Sequence, residues 1–309
     1  MRNTRLAAKL DSKVDKTLLT FIVPVHNMSG RLANLSKWLE EARIFNVKVV
    51  LVHDRSQDTT GAELHRLCQS MNSEQYSVLD TDVQSPGLAR NCGLNIIDTP
   101  WFSFVDADDL VDVPSVLKLL TETQLSDRKI GVGSYLSWDL RSDTERVVSP
   151  PQISGDSLAL HLAGRMGLWR FVFSSSIFGD IRFTQHKMGE DYLYLMLILN
   201  RSDEIYITQE VVYRYFHSGS FNLTSNQSVM SEMVGVVDSI KKIEPQTSTA
   251  KVFRVLAIQK LTLSLLKNLS SQGKISEKLR LLPNLILHPI YLSKLLVSLN
   301  TKTIGYKDE

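Results

Sequence analysis

Two cysteines, Cys68 and Cys92, are all that 309 residues provide. That is too few for a disulfide framework, and a reducing compartment fits best. No uninterrupted apolar run is long enough to span a bilayer as a helix. The stretch 1–17 carries Arg2, Arg5, Lys9, Lys13 and Lys16 but no apolar centre, so it does not read as a secretory signal. The chain is therefore expected in the cytoplasm, where Asn-X-Ser/Thr triplets such as Asn222-Leu223-Thr224 have no glycosylation meaning. An excess of one charge sign is lacking too. The formal net charge of +2 gives no reason to expect a nucleic-acid partner. Neither a GxxxxGK[ST] loop nor a strand-coupled GxGxxG is present, which argues against an ATPase and a dehydrogenase. Internal repeats and low-complexity segments are absent as well.

With 43% hydrophobic and 22% charged residues, the composition is that of a globular chain long enough for a substantial core. The first half alternates short apolar runs with helical patterns. Leu18–Val25 reads as a buried strand, and Arg31–Ala42 as a helix with Leu32, Leu35, Trp38 and Leu39 at helical spacing. Strands follow at Val47–Val52, Tyr76–Leu79 and Trp101–Val105, with helices at Thr60–Met71 and Leu88–Ile97. This alternation predicts an α/β fold, a mostly parallel sheet with helices on both faces. Between Ile130 and Tyr215 the pattern is less regular, and from about Val229 it is almost wholly helical.

In such sheets ligands bind beyond the carboxyl ends of the strands. Four polar groups sit there: Pro24-Val25-His26-Asn27, His53-Asp54-Arg55-Ser56-Gln57-Asp58, Pro86-Gly87-Leu88-Ala89-Arg90-Asn91 and Asp106-Ala107-Asp108-Asp109. The last is the most informative. Three carboxylates in four residues repel one another unless a cation lies among them. Asp106 and Asp108 project to one side of an extended segment. Hard divalent cations such as Mn²⁺ or Mg²⁺ take oxygen ligands and leave positions open for substrate phosphates. The alternative is an acidic turn in which Asp109 or Asp112 caps a helix starting near Val113.

In order and spacing, TFIVPVHN, VVLVHDRSQD, PGLARNCGL and WFSFVDADD resemble the nucleotide-binding half of the family 2 glycosyltransferases, which have the GT-A fold. HKMGED before an apolar helix resembles that family's Glu-Asp motif, and YRYFHSGS its Tyr- and Arg-rich segment ending in His-X-X-Ser. The resemblance covers Leu18 to Thr224. It implies a GT-A domain over 18–225, with a donor-binding half at 18–112 and an acceptor half at 113–225. A basic extension, 1–17, precedes it and a helical region, 226–309, follows. It also implies transfer of a sugar from a nucleotide diphosphate sugar, with a UDP-sugar favoured, to a glycan or lipid-linked acceptor in polysaccharide or surface-glycan assembly. Pro24, Val25, Asn27, Asp54, Arg90 and Asp106 would hold the nucleotide. Asp108 would bind Mn²⁺ or Mg²⁺ directly, Asp106 the ribose or a metal-bound water, and His217 would be a third ligand. Asp191, with Glu190 as runner-up, would be the general base, and one base without a covalent intermediate means inversion. Two positions depart from the pattern: His53 stands where the family has an Asp, and Arg55 where it has Gly. His53 is then either a packed strand-end residue or a ligand.

Two rival readings remain. A nucleotidyltransferase would show a Gly-rich basic loop after the first strand, which PVHNMSGRL matches poorly. A non-catalytic descendant of a transferase is suggested by His53 and Arg55, but Asp106, Asp108 and Asp191 are all retained. The basic tail after Lys251 contains Leu281–Leu299, strongly apolar but interrupted by Pro283, Asn284, His288, Pro289 and Lys294. It reads either as a helical subdomain packed on the core or as a segment lying on an anionic membrane.

Overall fold

The computed structural model describes residues 17–71, 74–217, 232–271, 282–286 and 292–293. Strand β1 (Leu19–Val25) lies inside the sheet, parallel to β2 (Val47–Asp54) on one side and β4 (Trp101–Phe104) on the other. β3 (Tyr76–Thr81) extends the parallel set beyond β2. These strands are apolar almost throughout because both faces of the sheet are covered. Alternate side chains feed different cores. Phe21, Val23, Val49 and Leu51 pack with helices α1 (Ala33–Ala42) and α2 (Thr60–Met71), while Ile22, Val50 and Val52 pack with α3 (Pro86–Leu94). The helix expected from Leu88 begins earlier, at Pro86, because Ser85 caps it and the fixed φ of proline suits the first turn.

The second half continues the same sheet with mixed direction. Its elements are β5 (Leu110–Val111), α4 (Val113–Leu125), β6 (Ile130–Asp139), β7 (Thr144–Val148), α5 (Asp156–Gly164), a 3₁₀ turn (Leu168–Arg170), β8 (Phe171–Ser174), α6 (Ser175–Phe178), α7 (Glu190–Arg201) and β9 (Ile205–His217). The strand order is β3-β2-β1-β4-β8-β6-β9-β5, with β7 beside β6. The expected α/β fold is thus observed, fully parallel in its first four strands and mixed in the rest. Of the two residues proposed to cap α4, Asp112 does so, accepting from the Ser115 amide at 2.9 Å.

Helices α8 (Met233–Lys242) and α9 (Ser248–Ser271) lie against the face that carries α3. Phe253, Leu256, Ala257 and Leu261 share a core with Leu158, Leu162, Leu193 and Tyr194. This part of the tail packs on the core. Most of Leu281–Leu299 lies outside the described residues, as does the Asn222 triplet; within it α10 (Pro283–Ile286) meets α9 where Asn284 donates to Thr262 at 3.2 Å. Among the described residues no helix is long and apolar enough to cross a membrane.

Candidate active site

The carboxyl end of the parallel strands is organised around one guanidinium. Arg90, on α3, is 6% exposed. Its Nη2 donates to Asp106 at 2.9 Å, and its Nη1 lies 3.4 Å from Asp191 and 3.6 Å from Glu190. Phe104 and Phe183 flank it at 5.9 and 5.5 Å from the ring centres. The acids outweigh the cost of burial and hold the guanidinium firmly charged. The neighbouring residues of PGLARN bring the acids to it. Asn91 exchanges two hydrogen bonds of 2.8 Å with the backbone of Phe183. A Cβ on Gly87 would lie 3.0 Å from the Phe183 Cβ and 3.2 Å from the Glu190 Cγ, so a side chain there would press α7 away. Gly189, with φ +80°, makes the left-handed turn into α7 and sets Glu190 and Asp191 on its first turn.

The three carboxylates after β4 have different tasks. Asp109, 1% exposed, accepts from the Tyr213 hydroxyl at 2.9 Å and the Phe216 amide at 2.8 Å. The same hydroxyl accepts from the Asp106 amide at 3.0 Å. Asp109 and Tyr213 therefore clasp the acidic loop to β9. Burial, with Asp106 and Asp108 close by, pushes the Asp109 carboxyl well above the usual range. Asp108 is exposed, and its pKa is raised by surrounding protein and by Asp106. Asp106 faces Arg90.

Glu190 and Asp191 form a coupled pair. Burial and the Asp191 charge push Glu190 up to about 8. Asp191 is raised by burial and by Asp106, against the pull of Arg90. Asp191 is the more exposed, 28% against 10%, and the nearer to Arg90. Greater exposure and the shorter distance to Arg90 favour the charged form on Asp191 over Glu190.

Pro24, Val25, Asn27 and Asp54, expected to hold the nucleotide, lie together at the ends of β1 and β2. Val25 is buried in β1 and Pro24 precedes it. Asn27, at φ +50°, accepts from the Gln57 amide at 2.8 Å and receives Ser56 Oγ on its own amide at 3.0 Å. Asp54, 4% exposed, accepts from the amides of Val83 (2.8 Å), Gln84 (3.0 Å) and Ser85 (3.0 Å). Its carboxylate shapes the loop that leads into α3. His53 is the packed strand-end residue: Nδ1 meets Asp80 at 2.7 Å, Nε2 accepts from the Ser56 amide at 3.2 Å, and Gly61 lies against the ring. Arg55 sits at φ +23°, which explains why glycine is at home in that position of the pattern.

His217 ends β9 one residue beyond Phe216, its ring centroid 5.8 Å from Tyr215 and its Nδ1 3.9 Å from Asp139. Among the described residues no three His, Cys, Asp or Glu side chains form a metal-binding group, so His217 is not gathered with Asp106 and Asp108 into a ligand set. The two carboxylates nonetheless suit a hard divalent cation. They supply anionic oxygen close together, and the remaining ligands of such ions commonly come from phosphates and water. Tyr213 and Asp109, which hold this loop, escaped the sequence reading as a pair. The only signal was a tyrosine in the VVYRYF strand, and its partner lies 104 residues away.

Residues 20–159 match the profile described as Glycosyl transferase family 2. Glycosyltransferase GlyA of Streptococcus pneumoniae serotype 4 is 25% identical over 236 residues, 70% of this chain, which spans only 33% of GlyA. Glycosyltransferase GlyG of the same organism is 21% identical over 62% of this chain and 70% of its own length. In fold, S. aureus TarS 1–349 in complex with UDP-GlcNAc superposes with a TM-score of 0.60 at 16% identity, covering 95% of this chain and 94% of that one. The Pyrobaculum calidifontis mannosyltransferase in complex with GDP-Man and Mn²⁺ gives 0.53 at 14% identity, over 99% and 94%. The likeness is one of fold, the GT-A architecture, which in this chain is followed by helices. The profile match over residues 20–159, the curated glycosyltransferases and the shared fold make this chain similar to glycosyl transferase family 2.

Proposed function

We propose that this protein transfers a sugar from a nucleotide diphosphate sugar to an acceptor hydroxyl with inversion. One observation carries the reading: buried Arg90 joins Asp106, at the end of the donor strands, to Asp191 and Glu190, at the head of the acceptor helix. Donor-side acid and candidate base are thereby held at one point. In this reading 18–112 supplies the donor site and 113–225 the acceptor site.

Asp108 and Asp106 would hold Mn²⁺ or Mg²⁺, which supplies positive charge to the diphosphate as it leaves. The other steps fall to the chain itself. Asp106 orients the ribose or a water, and its bond to Arg90 fixes its rotamer. Asp191 takes the proton of the acceptor hydroxyl, its charge preserved because Glu190 keeps a proton. Arg90 sets the spacing between the two ends and is placed to favour charge that develops on phosphate oxygens. Pro24, Val25, Asn27 and the loop ordered by Asp54 border the base and ribose position. His217 is placed as a residue of the acceptor rim or, with movement of its ring, as a third ligand.

UDP is the nucleotide we favour, supported by the UDP and UDP-GlcNAc complexes of TarS. A glycan or lipid-linked acceptor in surface-glycan assembly, reached from the inner face of a membrane through the tail, completes the proposal. Calorimetry with UDP and GDP, in Mn²⁺ or EDTA, tests its centre. We expect UDP to bind more tightly with Mn²⁺ and the gain to vanish in Asp108→Ala. Equal affinity in both conditions for the preferred nucleotide would remove the metal assignment.

A further inference from the structure

Among the described residues, 113–217 hold a second charged cluster, basic and without an acid. Arg170 is 1% exposed. It donates to His161 Nε2 at 2.8 Å and to the Arg165 carbonyl at 2.7 Å, and its Nε has no partner. A guanidinium always donates, so His161 must accept there, and it is neutral. Tyr135 and Phe171 lie 5.3 and 5.7 Å from the guanidinium carbon, ring centre to carbon. Arg165 is half-buried beside it, and Arg146 is exposed on β7. Among the described residues Arg146 and Tyr135 act on Arg165, and Tyr135 and Arg165 act on Arg170; none is a carboxylate. A buried guanidinium without a counter-ion is costly.

Sheet register places this cluster beside the acidic loop. Arg146 pairs with Ser137, and Ser137 with Tyr215, so the three side chains form one row across β7, β6 and β9 on one face. The next row runs Val148, Tyr135, Tyr213. Trp169 binds the rows together, edge-on to Tyr135 at 4.7 Å and stacked on Tyr213 at 4.2 Å. Tyr213 in turn holds Asp109 and the Asp106 amide. The face is thus acidic at one end and basic at the other, about 10 Å apart across two strand spacings. Tyr135 is only 8% exposed, and its hydroxyl makes no hydrogen bond to a described residue although three arginines surround it.

We propose that Tyr135, Arg146 and Arg165, backed by Arg170, bind a phosphate-class oxyanion carried by the acceptor, which would aim a neighbouring hydroxyl at Asp191. The proposal rests on the reading of the Asp106–Asp191 region as the transfer site, but its test does not need transfer. Protein saturated with UDP and Mn²⁺, so that the diphosphate position is filled, is titrated by calorimetry with glucose 6-phosphate, glucose and inorganic phosphate. Glucose 6-phosphate should bind more tightly than either of the others. Arg146→Gln and Arg165→Gln should each weaken it by about tenfold, the value of one charge-assisted bond, and leave UDP binding unchanged. Tyr135→Phe should weaken it less. Arg146 is exposed, so its variant carries the test even if Arg165→Gln disturbs the fold. Unchanged affinity in Arg146→Gln, or glucose binding as well as its phosphate, would overturn the site. Equal binding of inorganic phosphate would overturn its assignment to the acceptor. Failure of UDP to bind would instead remove the transferase reading, and the same titration without UDP would still decide the basic cluster.

Discussion

Asp191 and Glu190 are adjacent carboxylates that differ by one methylene and in exposure, and our reading gives them different tasks. Asp191→Asn keeps shape and removes basicity. Transfer should fall by about a hundredfold or more while UDP and Mn²⁺ binding persist. Near-normal turnover would shift the assignment to Glu190. The Glu190 carboxyl is raised by burial and by Asp191, to about 8. A carboxyl raised on folding binds its proton more tightly in the native state. Its contribution is therefore full below the unfolded value near 4.5 and is lost as pH rises through about 8. Glu190→Gln should remove that loss. Melting temperatures measured from pH 5 to 8.5 should show the variant gaining on the parent as pH rises; a constant gap would mean that Glu190 is ionised throughout.

At the scale of elements, α3 meets α7 and the segment that leads into it through side chains that never touch substrate in our reading. Asn91 exchanges paired bonds with Phe183, and Gly87 leaves room for Glu190. Asn91→Ala leaves two buried backbone groups unpaired, and chemical denaturation should show a loss of about 2 kcal/mol. Because α7 loosens, transfer should fall more than UDP binding does. A variant that lost UDP binding to the same degree would show that the two helices are not the joint between donor and acceptor sides. Tyr213→Phe breaks the corresponding clasp on the other side of Asp106. It removes one of the two hydrogen bonds to Asp109 and the one to the Asp106 amide while keeping the ring that Trp169 stacks on, and metal-assisted UDP binding should weaken in parallel with stability.

For the whole molecule, the described part of the tail is a layer of the core. Phe253, Leu256 and Leu261 are almost fully buried against α5 and α7. Truncation after Lys242 would expose this surface and should leave an unfolded or aggregated product by circular dichroism. A truncation at about Lys274 keeps α9. Comparing it with the full chain by flotation on anionic vesicles tests membrane contact, which we expect from the lysines and leucines that follow. Equal flotation of the two would assign the remaining tail to packing alone.

Strand-helix alternation, the four polar strand ends and their order were legible in the sequence because they depend on local periodicity and on residue types in short motifs. From these follow the sheet, the direction of its first strands, and the end at which Arg90, Asp106, Asp108 and Asp191 gather. What those side chains do to each other was not legible. Asp54 reads as a nucleotide residue, yet its oxygens are occupied by three amides of a loop about thirty residues on. Asp109 and Asp112 read alike as caps until β9 delivers Tyr213 to one of them. Glu190 and Asp191 are told apart only by exposure and by distance from Arg90. The basic row Arg146–Ser137–Tyr215 exists only through strand register. Periodicity is a property of neighbours along the chain, whereas pairing, desolvation and charge balance depend on neighbours in space, and these the fold alone supplies.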